Sequence, residues 1–308
     1  MALGFEAKII ARLFLRRWIS LARRKGFKIP MPLNVLKSVA INSSGPSIKY
    51  KLTPLLAISF GIQAKSDSKN ELKKLYEQAD KMFETNSFVD LINLLKSIPS
   101  WSENSEALWR IARAQHHQLK YRTDKASKEY MALISGALDY AQKAVELDET
   151  CGPAHKWKAI VLDEYASLHG LKARISQLMN FKNHMEKAIK YSPNDPTSHY
   201  LLGEWNFSCA NVSWVERNVA NVLFGKLPDA SYEAALEMFQ KAEDISPNFY
   251  AKNKLMLAKT LLAIGKDVER AKILLKDVFD RYRDSNKWDD VEAVNEAVQL
   301  LQKYGVKF

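Results

Sequence analysis

The chain has 308 residues, 47% hydrophobic and 26% charged, which is enough to bury a full-sized core and ordinary for a globular protein. Its 11 Gly and 10 Pro leave few turns for a many-stranded sheet, and two cysteines cannot staple a secreted fold of this size. The formal charge of +11 sits at one end: residues 1–70 hold thirteen Lys/Arg against Glu6 and Asp67 alone, so the body is neutral and nucleic acid is not an expected partner.

The first predicted element is an amphipathic helix. Leu3, Ala7, Ile10, Phe14, Trp18 and Leu21 recur at steps of three and four, while Lys8, Arg12 and Arg16 step along a neighbouring stripe. Arg-rich and nearly free of acids, residues 1–28 read as a mitochondrial targeting leader, with Lys8, Arg12, Arg16 and Trp18 as its working residues. The same pattern suits an anionic membrane surface or an acidic polymer such as a microtubule. Residues 29–69 follow as a linker rich in Pro, Ser and Asn. It contains a short apolar stretch, Leu55 to Ala64, well below the roughly twenty residues that span a bilayer. We expect that stretch to be a short buried or interfacial segment.

From residue 70 to 308 the pattern is helical. Early helices are expected near Glu71–Glu84, Ser87–Ser97 and Glu106–Lys120. A heptapeptide then recurs as Lys143-Ala-Val-Glu-Leu-Asp-Glu149, Lys187-Ala-Ile-Lys-Tyr-Ser-Pro193 and Lys241-Ala-Glu-Asp-Ile-Ser-Pro247. Each is the end of an amphipathic helix running into a turn, and an Ala five positions before a Pro fits the tetratricopeptide unit, a 34-residue helix–turn–helix. Leu202-Gly203 falls where two helices approach closely, and Ala235 and Phe239 fall where the gap between them is filled. The copies lie 44 and 54 residues apart, so insertions are expected around 163–175 and 206–230. Asp195-Pro196 predicts a capped helix start. Ser213-Trp-Val-Glu216 predicts a capping box for a helix inside the second insertion, with Val215, Val219, Val222 and Leu223 on one face and Gly225 closing it. A last pair covers Phe249–Ile264 and Val268–Arg283, and a closing helix covers Lys287–Lys303. The fold class is therefore all-α: a tetratricopeptide-like helical-hairpin solenoid with helical insertions, preceded by a basic N-terminal leader.

Three runs carry a resemblance: Glu106-Ala-Leu-Trp-Arg-Ile-Ala-Arg113, Ala154-His-Lys-Trp157 and Ser246-Pro-Asn-Phe-Tyr-Ala-Lys-Asn253. With the helix-bearing insertion between Trp205 and Ser231, they resemble the regulator of microtubule dynamics proteins over roughly residues 70–300. The resemblance implies a tetratricopeptide-like domain associated with microtubules and the spindle. Some members are tied to mitochondria, and one tethers mitochondria to endoplasmic reticulum through a lipid-binding repeat domain. No catalysis is implied. Expected partners are proteins, including tubulin or microtubules, with a lipid or membrane surface as the alternative. The expected location is mitochondrial, with cytoplasm, cytoskeleton and spindle as the alternative.

No glycine-rich phosphate loop, nucleophile elbow or His-Glu-x-x-His occurs in the sequence. Cys151 and His155 stand four apart and His116-His117 is a pair, but neither assembles a metal's ligand set, so no enzyme, cofactor or metal is expected. Trp109, Trp157 and Trp205 are expected in the core between repeats. Trp214, Arg217 and Phe224 on the insertion are the expected partner contacts, joined by Lys252 and Lys259 (with Lys254 beside them) for an acidic ligand.

Overall fold

The computed structural model describes residues 57–306 apart from 121 and 126, with side chains from residue 70 onward. The leader, including Lys8, Arg12, Arg16 and Trp18, and most of the linker lie outside the described residues. Among those described there are thirteen α-helices and no strand. They pair as hairpins in chain order: α1 (Ala57–Glu84) with α2 (Phe88–Lys96), then α3 (Ser105–Leu119) with α4 (Lys128–Leu147). Next come α5 (Gly152–Leu168) with α7 (Leu178–Tyr191), α8 (Pro196–Ala210) with α10 (Tyr232–Ile245), and α11 (Ala251–Ile264) with α12 (Val268–Tyr282). The insertions contribute α6 (Leu171–Ser176) and α9 (Trp214–Phe224), and α13 (Trp288–Lys303) closes the array. The expected apolar segment beginning near Leu55 is not a separate element from Ala57 onward: α1 runs unbroken through residues 69 and 70, where the linker was expected to end.

The three heptapeptides end three second helices in the same way. Ala144, Ala188 and Ala242 are fully buried, and each carbonyl accepts the N–H of the residue four further on, Asp148, Ser192 or Ser246. Small side chains there let the next hairpin close over the helix end. Gly203 is needed for the same reason. A Cβ on it would stand 2.7 Å from the ring of the fully buried Phe239, so α8 and α10 meet at a distance only glycine permits. Trp109, Trp157 and Trp205 are buried on the first helices of successive hairpins, as their spacing predicts.

One cap differs from expectation. Asp195 precedes Pro196 at the start of α8, but its carboxylate bonds no backbone N–H of that helix. It accepts instead from the Ser198 hydroxyl at 2.5 Å and pairs with Lys156 of α5 at 2.9 Å. The carboxylate ties two hairpins together rather than capping one helix.

First helices of neighbouring hairpins touch at four junctions, α1 with α3, α3 with α5, α8 with α11 and α11 with α13, and less between α5 and α8, whereas second helices make no comparable contacts. The array therefore bends with its first helices on the inside. The bend is enough for Lys120, at the end of α3, to reach Asp289 in the first turn of α13 at 3.6 Å.

Candidate partner-binding surfaces

The insertion helix α9 begins as its sequence predicts. The Ser213 hydroxyl accepts from the Glu216 N–H at 3.3 Å, and the Glu216 carboxylate accepts from the Ser213 N–H at 3.0 Å. Gly225 ends it at φ +95°, a conformation costly for a side chain. What holds the helix down is its small and polar side. Ala220 and Glu216 are buried, and Phe224 packs with Leu227 and Val212 onto Ile175, Leu178, Trp205 and Cys209. The larger apolar residues turn outward: Trp214 is 77% exposed and Val222 85%, and Val215 and Leu223 are exposed as well. Met179, at the start of α7, is a fifth large apolar side chain exposed on the same insertion-bearing part of the array. Soluble surfaces usually scatter such residues singly, so four of them on one short helix set this face apart.

The three insertion residues expected to meet a partner have different positions. Trp214 stands free on the ridge. Phe224 is half-buried in the lobe's own core. Arg217 turns inward, where its guanidinium donates to the carbonyls of Cys209 at 2.8 Å, Pro228 at 3.1 Å and Leu227 at 3.5 Å. Val222, the most exposed of the ridge, is legible in the sequence only as part of an apolar stripe whose direction periodicity does not give.

Two of the α11 lysines, Lys252 and Lys259, are placed on the inner side, and α13 answers them. Lys252 pairs with Glu292 at 2.6 Å and Asp289 at 3.4 Å, and its ammonium lies 4.9 Å from the centre of the Trp288 ring. Lys259 pairs with Glu296 at 2.6 Å. Lys254 is held by Asp277 and Asn248, with Glu243 at 3.6 Å. An acidic partner reaching Lys252 or Lys259 would therefore compete with the acidic edge of α13, which is anchored beneath by Ala293, Val294, Ala297 and Leu301.

The residues that could have suggested chemistry are separated. The Cys151 thiol lies 3.7 Å from a Glu106 carboxylate oxygen, and burial pushes it up to about 11. The Cys209 thiol is pushed up to about 12 by burial, so neither sulfur is a thiolate near neutral pH. His155 turns away from Cys151, and its Nδ1 meets Nδ1 of His184 at 2.8 Å. His117 bonds the Arg113 carbonyl within a cluster of Phe83, Phe88 and Trp157, and burial holds it down at about 4. No group of three or more metal-ligating side chains occurs among the described residues, and no helix there is long and apolar enough to cross a membrane. The His155–His184 pair had no signal in the sequence, because its members are 29 residues apart on the two helices of one hairpin.

Comparison with known proteins follows the same residues. The family model for regulator of microtubule dynamics proteins 1–3 matches residues 75–305. Regulator of microtubule dynamics protein 1 of Mus musculus is 36% identical over 231 residues, 75% of this chain and 74% of that protein. The Pongo abelii protein of the same name is 37% identical over 77% of this chain and 74% of its own length. Regulator of microtubule dynamics protein 3 of Rattus norvegicus is 29% identical over 68% of this chain and 45% of that protein. Among solved structures, a tetratricopeptide protein of Thermus thermophilus aligns with a TM-score of 0.48 at 13% identity, over 74% of this chain and 98% of that one.

Proposed function

This chain belongs to the regulator of microtubule dynamics protein family, and from that premise we propose that it is a non-enzymatic scaffold which docks on microtubules or on proteins bound to them. The observation that supports this reading is the outward ridge of Trp214, Val215, Val222 and Leu223. A rigid, capped helix holds these apolar side chains in water beside a neutral array, and burying them against a partner gains free energy without reorganising the fold. The basic leader supplies either an address or a second, salt-sensitive contact with the acidic surface of tubulin.

The test is co-sedimentation of the full chain with microtubules. Trp214→Ala with Val222→Asp should weaken binding by roughly tenfold or more, as loss of an interface anchor does. Equal sedimentation of that variant and the parent would remove the ridge from the interface. Binding that vanishes on raising salt but ignores the ridge variant would assign the contact to the leader.

A second reading, a mitochondrial repeat module that contacts lipid or a membrane-bound partner, is favoured by the leader's cationic stripe and by the same apolar ridge. Localising tagged chains with and without residues 1–28 separates the two. A mitochondrial full-length chain and a diffuse truncated one support the second reading. Decoration of microtubules by both forms supports the first.

A further inference from the structure

The outer face of α9 carries no exposed charge. From Ser208 to Gly225 the only charged residues are Glu216 and Arg217, and both turn inward. Glu216 is buried in the capping box, where it accepts from the Ser213 N–H at 3.0 Å and from the Ser213 hydroxyl at 2.8 Å. Arg217 donates to the carbonyls of Cys209, Leu227 and Pro228. Just beyond the helix, Lys226 and Asp229 pair with each other at 3.3 Å. Exposed apolar side chains elsewhere have a different setting: Val89 stands beside the exposed Asp90, and Leu147 beside the exposed Glu146.

The face is also laid out about its own centre. Trp214, Asn218 and Val222 step by four along one stripe, so the exposed Asn218 sits midway, with a large apolar side chain one turn before it and a smaller one a turn after. Val215, Val219 and Leu223 border the stripe on one side. Two such helices set antiparallel about a twofold axis through Asn218 would bring Trp214 of each copy onto Val222 of the other, large against small. The two Asn218 amides would face each other on the axis, where each can donate and accept. The bordering residues of the two copies would meet along one edge. A twofold contact requires a surface that suits itself, and a charged face brought against its own copy meets its own sign. This face has no such repulsion to overcome. It also has no exposed acid for Lys8, Arg12 and Arg16 of the leader, and no exposed cation for an acidic surface.

We propose that α9 is the contact through which two copies of this chain associate, antiparallel about Asn218. The inference rests on the scaffold reading's use of the ridge as a contact site and names a second copy as an occupant. The two contacts share Trp214 and Val222, so pairing and docking exclude one another. With 11 residues α9 is about 16 Å long, so its face covers well under the ~800 Å² per partner of a standard interface. The dimer is therefore expected to be weak, forming in the micromolar range or above.

The experiment is sedimentation velocity of the full chain from low micromolar to several hundred micromolar. We expect a reversible shift from monomer to dimer. Asn218→Asp and Asn218→Lys, at an exposed position, should each weaken association by roughly tenfold or more, because each sets two like charges on the axis. An equimolar mixture of the two variants should associate at least as well as the parent, since the charges then meet as an opposite pair. Unchanged circular dichroism would show both variants folded. A chain that stays monomeric at every concentration would overturn the proposal. So would a dimer indifferent to both Asn218 variants, or a mixture that associates no better than either variant alone. Microtubule co-sedimentation separates this failure from that of the scaffold reading. A monomeric chain that loses sedimentation with Trp214→Ala and Val222→Asp removes the dimer and leaves the ridge to a microtubule-bound partner. A dimer restored by mixing, in a chain that sediments equally with and without the ridge, keeps the dimer and removes the ridge from the microtubule interface.

Discussion

The α9 lobe and the α11–α13 end of the array both carry residues that the sequence marks as partner contacts, and the chain uses them in opposite ways. At α9 the large apolar side chains face water, and the helix is held by Ala220, by the inward Arg217 and by Leu227 from the segment beyond it. At α11 the lysines look ready for an acidic ligand, yet Asp289, Glu292 and Glu296 of α13 supply the acid from within the chain. The difference teaches that a charged stripe is an unreliable sign of a binding face in a repeat array, because the next repeat can answer it. A large apolar side chain left exposed has no such internal answer.

The largest expected effect separates two tryptophans. Trp205 is buried and donates its ring N–H to the Leu178 carbonyl at 3.0 Å, so Trp205→Ala should cost about 3–5 kcal/mol in denaturant unfolding. Trp214→Ala should stay within about 0.5 kcal/mol, as surface changes do. Similar costs at both sites would mean that α9 is packed against more than the lobe core. Next comes Gly203→Ala, which pushes a methyl into the Phe239 ring and should cost about 1–3 kcal/mol by overpacking. A neutral result would show that α8 and α10 can slide apart.

The ion pairs are expected to be worth less. In a double-mutant cycle on Lys259 and Glu296, whose side chains are 10% and 36% exposed, the coupling should be about 1 kcal/mol, above the ordinary surface pair. A coupling near zero would free Lys259 for an outside partner and weaken the contrast drawn above. A separate effect is expected in acid. His117 and His184 titrate at about 4 and 3 in the fold, below the 6.5 of an exposed imidazole, both mainly through burial. Between pH 6.5 and about 3 the unfolded chain binds protons that the folded chain does not, so their contribution is intact above this window and falls as pH drops through it. Melting temperature against pH should show this slope, and His117→Gln should flatten it. An unchanged slope would place the acid sensitivity elsewhere.

Much of the fold is legible in the residues. The three heptapeptides mark three helix ends, Leu202-Gly203 marks a close approach, and Ser213 with Glu216 and Gly225 brackets an inserted helix, because each is a local device whose geometry fixes its neighbours. Periodicity states which side chains share a face, but which way that face points depends on what lies beside the helix. Val215, Val222 and Leu223 therefore read as a stripe, with no sign that it turns to water. Asp195 reads as a cap because Pro196 follows it, while the competing Lys156 lies 39 positions earlier. The leader's residues, from Lys8 to Trp18, stand on their pattern alone.

Arg217 has a consequence for how this part of the chain can change over time. One guanidinium grips the carbonyl of Cys209, where the insertion begins, and those of Leu227 and Pro228, where it ends. The loop is thus laced shut at its base, like the neck of a bag, and only its inner side, through Ala220, Phe224 and Leu227, rests on α7 and α8. Substitutions on the outer side of such a pouch fall on side chains that face water and are not part of the packing on α8. New binding preferences can therefore accumulate at Trp214, Val215 and Val222 while the supporting array stays as it is.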